Sequence, residues 1–191
     1  DEDVAGLEET VVRTLKEQGL TLSTAESCTG GMIAQRVTSV SGSSEVFGYG
    51  FVTYWERAKT RLVGVEPEVI AKYNVVSAPV AARMALGAAA ASGSDIAVSV
   101  TGVAGPTGGD EVRPVGTVYL GAARGDTVYV QKLFVSRPDR ALVRARAAQA
   151  ALALALRLAQ GKVPAHTKPL AASEQHSAAA LDALNEAFLA E

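Results

Sequence analysis

The apolar positions of residues 3–18 recur at helical spacing, with Val4, Leu7, Val11 and Leu15 on one face and Gly19 placed as a C-terminal stop. TLSTAE, residues 21–26, reads as a short strand that runs into a polar turn ending in Gly30 and Gly31. MIAQRVTSV then carries a helical period up to an SGSS loop. VFGYGFVTYW, residues 46–55, alternates: Phe47, Tyr49, Phe51 and Thr53 share one face, while Gly48, Gly50, Val52 and Tyr54 share another that leaves room for a close neighbour. Short helices near 56–63 and 66–73 precede VSAPVAARMALGAAAASG, where Ser77 can cap and Pro79 fits a first turn. DIAVSVTG is a strand rich in β-branched residues, followed by a loop at 102–116 with five glycines and two prolines. TVYLGAAR and TVYVQKLFV form two strands joined by Gly125-Asp126, a hairpin signal. The longest helix lies within residues 136–161, opened by Ser136 and Pro138 and closed by Gly161. Residues 162–173 read as a connector, and Leu181, Leu184 and Phe188 then form one stripe of a last helix. Helices interspersed with strands, plus one hairpin, predict an α/β sandwich around a mixed sheet. The expected organisation is one domain over 1–161 and, at 162–191, a linker with an amphipathic helix apart from the core. No repeat of 20–50 residues is visible.

Composition narrows the partners. The chain has 191 residues, 48% of them hydrophobic, enough for one well-filled core. A formal charge of -2, with basic residues scattered, gives no electrostatic footprint for nucleic acid. The longest apolar run is interrupted by Gln149 and Arg157 and is too short to span a bilayer. The single cysteine, Cys28, allows no internal disulfide, and no basic-then-apolar leader opens the sequence, so the expected location is the cytoplasm. A start at Asp1 without methionine is expected of a processed chain or the tail piece of a longer protein.

The most informative chemical feature is an absence. The two histidines, His166 and His176, both fall in the tail, so a Ser-His-Asp triad within residues 1–165 is excluded. With one cysteine besides, no plausible set of metal ligands exists in the core, and no metal is expected. The phosphate-loop and dinucleotide fingerprints are missing, which argues against nucleoside triphosphates and nicotinamide dinucleotide as cofactors. A hydroxyl nucleophile would then need a lysine, a carboxylate or a tyrosine relay as its base. After the first helix the core offers Lys59, Lys72 and Lys132, and Lys59 is favoured because it follows the glycine-faced strand. Desolvation or the sequence neighbours Arg57 and Arg61 would lower its pKa; the alternative is an ordinary surface lysine.

Ser27 stands between a strand and a glycine pair that opens a helix, a position suited either to a nucleophile or to an N-cap. Cys28 is a competing nucleophile or a small buried apolar residue. Thr29, Gly30 and Gly31 form the turn expected to touch substrate. Glu26 either orients Lys59 or simply ends its strand. Thr101 and the loop glycines Gly102, Gly105, Gly108 and Gly109 either present backbone donors to an anion or act as plain connectors. Arg140 and Arg144, four apart on one helix, suit a phosphate clamp or a solvated face.

AESCTGG, GFVTYWERAKTRLVGV, VSVTGVAGPTGG and PVGTVYLG, in this order from about residue 5 to 160, resemble the C-terminal domain of the competence-damage-inducible protein CinA, the nicotinamide mononucleotide amidohydrolase family. The resemblance implies a three-layer α/β/α domain, often a homodimer, that hydrolyses the carboxamide of nicotinamide mononucleotide to nicotinate mononucleotide and ammonia without metal or cofactor. By motif position it implies Ser27 as nucleophile, with Tyr54 and Lys59 as its activating pair. The small-molecule partner it implies is a pyridine nucleotide, and neither a membrane nor direct nucleic acid binding is expected. The family's domain also occurs behind a larger molybdopterin-binding-like domain, so an N-terminal domain missing from this chain is a further expectation. Trp55 departs from the small polar residue that usually follows the tyrosine. A catalytically silent module that binds a nucleotide, or recruits a recombination partner through the tail, is the rival expectation. The tail lies beyond the resemblance, and its apolar stripe is expected to dock on an apolar face of the same oligomer.

Overall fold

The structure, a computed structural model, describes residues 6–191. Val4, expected on the first helix, lies outside the described residues. In chain order the elements are α1 (Leu7–Gln18), β1 (Leu22–Glu26), α2 (Met32–Thr38), β2 (Phe47–Val52), α3 (Glu56–Val63), α4 (Pro67–Tyr73), α5 (Ala78–Ser92) and β3 (Ile96–Gly102). They continue with β4 (Thr117–Arg124), β5 (Thr127–Phe134), α6 (Arg140–Ala159), β6 (Lys168–Ala171) and α7 (Ala178–Leu189).

The six strands form one sheet in the order β2-β1-β3-β4-β5-β6. β2, β1 and β3 run parallel, and the pairs from β3 to β6 are antiparallel. Strand alternation separates two cores. Ile96, Val98 and Val100 of β3 join Val118, Leu120 and Ala122 of β4 beneath α1, α2 and α6. On the other face Ala97 packs with α3, α4 and α5, while Tyr119, Ala123, Val128 and Val130 pack with α5 and α7. The result is the expected α/β sandwich around a mixed sheet. Gly87 lets α3 and α5 touch: a Cβ there would lie 1.7 Å from the Val63 carbonyl oxygen.

Four boundaries differ from the sequence expectation. β2 stops at Val52, so Thr53 to Trp55 become the lead into α3. α6 opens later than Ser136 and Pro138: Asp139 is its N-cap, and its Oδ1 accepts the Ala141 N–H at 2.8 Å. The 162–173 connector contains β6, which pairs with β5. Tertiary pairing overrides the weak local signal there, because the outer edge of β5 would otherwise be open, and Pro169 is tolerated on an edge strand. The last helix, expected apart from the core, instead packs against it. Leu181, Leu184 and Phe188 are buried on α7, and the Phe188 ring meets Tyr119 edge-on at 5.8 Å. Lys72 pairs with Asp182 at 2.9 Å, pinning α7 to α4 of the same chain.

Among the described residues no helix is long and apolar enough to cross a membrane. Nor do three or more His, Cys, Asp or Glu side chains gather as a metal site.

Candidate active site

Successive crossovers place the site. The β1-to-β2 connection carries α2 on one face of the sheet, and the β2-to-β3 connection carries α3, α4 and α5 on the other. Where crossovers leave to opposite faces, the carboxyl ends of parallel strands open a crevice. Here β1 delivers Ser27, β2 delivers Thr53 and Tyr54, and β3 delivers Gly102 to the same end.

Ser27 is held as an extension of its strand, its N–H donating to the Val100 carbonyl at 3.0 Å. The chain then reverses through Gly30 (φ +58°) and Gly31 (φ +104°), left-handed conformations that a side chain would strain. Gly31, not Ser27, is the N-cap of α2. The free N–H groups of Ile33 and Ala34 are taken by the buried Glu26 carboxylate, at 2.8 and 3.1 Å. Glu26 thus anchors the turn below Ser27 and does not orient Lys59, while the Ser27 hydroxyl is released from capping.

Lys59, on α3, is 0% exposed. Its Nζ donates to Ser27 Oγ at 2.9 Å and to the Thr53 carbonyl at 2.7 Å. Burial pushes its pKa down to about 8, against the opposing attraction of Cys28 and Glu56. The depression therefore comes from desolvation. Arg57 and Arg61, the sequence neighbours expected to help, are exposed and not among its causes. The Thr53 carbonyl escaped sequence reasoning because a backbone acceptor carries no side-chain signature; only the path from β2 to α3 brings it to the lysine.

A pocket of about 190 Å³ opens here, lined by Ser27, Cys28, Tyr54, Gly102, Ala104 and Arg140. Tyr54 is 55% exposed at its rim and accepts a hydrogen bond from Arg140 Nη2 at 3.1 Å. Among the described residues it makes none to Ser27 or Lys59. Arg140 Nη1 also donates to the Gly105 carbonyl at 2.8 Å, tying the 103–116 loop to the rim.

The two arginines do not act as a pair. Arg144 is turned under the Ser27 turn, its Nε donating to the Cys28 carbonyl at 2.9 Å and its Nη2 to the Thr29 carbonyl at 3.2 Å. Thr101 is buried, and its hydroxyl donates to the Val75 carbonyl at 2.8 Å. Gly108 and Gly109 lie outside the pocket lining. A Cβ on Gly109 would come 2.7 Å from the Val115 nitrogen, so this glycine serves loop packing. Thr29 is fully buried beside the nucleophile position, with its Oγ1 unpartnered among the described residues. Burial pushes the Cys28 thiol up to about 11, which removes it as a competing nucleophile at neutral pH. Neither tail histidine lines the pocket; His176 instead faces Glu66 at 2.8 Å.

The arrangement is a buried, partly neutral amine hydrogen-bonded to a serine hydroxyl at the mouth of a small pocket, the pattern of a base-activated nucleophile. Comparisons with known proteins bear on the family. Residues 4–159 match the CinA C-terminal domain family. The nicotinamide-nucleotide amidohydrolase PncC of Escherichia coli strain K12 is 45% identical over 154 residues, covering 80% of this chain and 92% of that protein. A CinA-like protein of Geobacter sp. strain M21 is 52% identical over 143 residues, or 75% of this chain. The chain spans only 34% of that relative's length. The crystal structure of the competence/damage inducible protein CihA from Agrobacterium tumefaciens superposes with a TM-score of 0.75 at 38% identity, covering 81% of this chain and 96% of that one.

Proposed function

Because the chain belongs to the CinA C-terminal domain family, we propose that it hydrolyses the carboxamide of nicotinamide mononucleotide to nicotinate mononucleotide and ammonia, with Ser27 as nucleophile and Lys59 as its base. The observation that carries this reading is the 2.9 Å contact between Lys59 Nζ and Ser27 Oγ inside the core. The 45% identical PncC supports the choice of substrate.

Neutral Lys59 takes the Ser27 proton as Oγ bonds to the amide carbon. The N–H groups of Cys28 and Ala104, two pocket-lining residues, donate to nothing within the described chain. They suit the oxygen of the tetrahedral intermediate, whose charge fixed donors stabilise without reorganisation. The C–N bond then breaks, the Lys59 proton leaves with ammonia, and a water activated by the same amine hydrolyses the ester and frees Ser27. Tyr54 and Arg140 stand at the opening, where ribose and phosphate project from the small pocket. With two N–H groups engaged, the Arg140 guanidinium keeps three for a phosphate.

Ammonia release from nicotinamide mononucleotide by the purified chain tests the reaction. Ser27→Ala should lower kcat by at least about a thousandfold with the fold intact. Tight binding without ammonia release in the unmodified chain would sink the reading and mark a binding module.

A further inference from the structure

A second concavity, of about 1000 Å³, lies apart from the serine pocket. It lies on the outer side of α3 and α4, floored by Leu62, Pro67 and Ile70 and edged by Trp55, Arg57 and Arg61. We infer that this groove binds a nucleoside 5′-phosphate, with the base on Trp55, the phosphate between Arg57 and Arg61, and the ribose beside Glu56.

Three observations select that ligand. Trp55 is 61% exposed, yet its ring is not loose: the Arg57 guanidinium stacks on it at 4.0 Å, and an exposed indole lining a groove suits a planar base. Arg57 and Arg61 are four residues apart and therefore neighbours on one face of α3. Both are exposed, and among the described residues neither makes an ion pair or a side-chain hydrogen bond. Two such forks fit the bidentate recognition of phosphate. Glu56, the one carboxylate lining the groove among the described residues, supplies what a ribose diol seeks, an acceptor beside the phosphate site.

The dimensions match a small-molecule site. The volume sits at the upper end for small-molecule sites. The shared chemistry has two sources: a free mononucleotide, or the second half of a dinucleotide whose pyridine end enters the serine pocket. Tyr54 faces that pocket and the next residue, Trp55, edges the groove, so the two cavities adjoin along the chain.

Trp55 is the single tryptophan of the chain and reports its own site. Full-length Ser27→Ala protein, which cannot turn over a pyridine nucleotide under the proposed reaction, is titrated with AMP, with adenosine, with inorganic phosphate and with NAD, following emission excited at the red edge. Saturable quenching by AMP, weaker with adenosine or phosphate alone, is expected. In Arg57→Ala/Arg61→Ala the dissociation constant should rise at least about tenfold. NAD binding more tightly than AMP, with the advantage abolished by nicotinate mononucleotide, supports the dinucleotide source; equal affinity supports a free nucleotide. No saturable change with AMP or NAD overturns the inference, as does quenching that survives the double arginine substitution. Emission that shifts with protein concentration alone also overturns it, placing a second copy of the chain on the groove. Because this readout is binding, it stands or falls separately from ammonia release.

Discussion

If Lys59 is the base, its ionisation sets the rate at neutral pH. With a pKa of about 8, roughly 9% of the enzyme carries the neutral amine at pH 7 and about 91% at pH 9. Turnover limited by that fraction should climb about tenfold over this range along a single-ionisation limb. An ordinary lysine at 10.5 would be neutral in only about 0.03% of molecules at pH 7, so burial enriches the reactive form roughly 300-fold. The same shift costs stability. Below pH 8 both folded and unfolded chains hold the proton, and the fold carries the full penalty of a buried charge, on the order of 3 kcal/mol. Between pH 8 and 10.5 the unfolded chain binds a proton that the folded chain has released, so this penalty shrinks as pH rises. Two measurements check the account: ammonia release from pH 6 to 10, and thermal unfolding of the parent chain beside Lys59→Met. The methionine variant should be inactive yet no less stable at pH 7, with any stability advantage fading towards pH 10. A flat rate profile from pH 7 to 9 would refute the reasoning, as would wild-type-like turnover in Lys59→Arg, because arginine cannot serve as a neutral base.

The other structural contacts make narrower claims. Glu26→Gln removes a carboxylate that accepts two backbone N–H bonds in the core and should cost about 1.5–3 kcal/mol, or roughly 3–12 °C in Tm; a melting curve unchanged from the parent chain would count against the anchoring role. Truncation after Gly161 removes β6 and the Leu181, Leu184 and Phe188 stripe, each side chain contributing about 1.5–3 kcal/mol by burial. It should lower Tm while turnover per folded active site stays within about twofold, and a collapse of that turnover would place the tail in the chemistry.

What the sequence makes legible here follows from how local each signal is. The exclusion of a histidine triad needed only a residue count, and the strand-turn-glycine pattern around Ser27 is written within eleven residues. The Ser77 cap and Pro79 likewise announce α5, Gly161 the end of α6, and β-branched content with the Gly125-Asp126 turn the central strands. The function of Glu26 was not readable, because its partners, Ile33 and Ala34, are donors only once α2 has formed. Arg140 and Arg144 look equivalent at helical spacing, yet one turn of α6 separates a group at the pocket rim from one beneath the Ser27 turn. β6 was hidden for a further reason: KPLA has no strong strand preference and becomes a strand only because β5 offers an unpaired edge. Lys59 was found by elimination, but its depth, and hence its pKa, is a property of packing.

That packing divides the molecule by task. The parallel strands β2, β1 and β3 end at the site, whereas the antiparallel strands β4, β5 and β6 receive α7 and none of the catalytic candidates. α5 lies across both halves, with Met84 and Ala88 facing the α3 side and Ala81, Ala82 and Ala85 the α7 side. On the α3 side the seating is tight, since Gly87 meets the Val63 carbonyl and Arg83 donates to the Gly64 carbonyl at 3.2 Å and to Glu66 at 2.9 Å. Val63 is one turn beyond Lys59 on the same helix, so these contacts fix how deeply the amine is buried. The α7 side bears on the same helix from another surface and adds stability without touching the lysine. Loss of the C-terminal helix is therefore expected to keep the distance between amine and hydroxyl, because that distance is set by α3, β1 and the α5 surface between them.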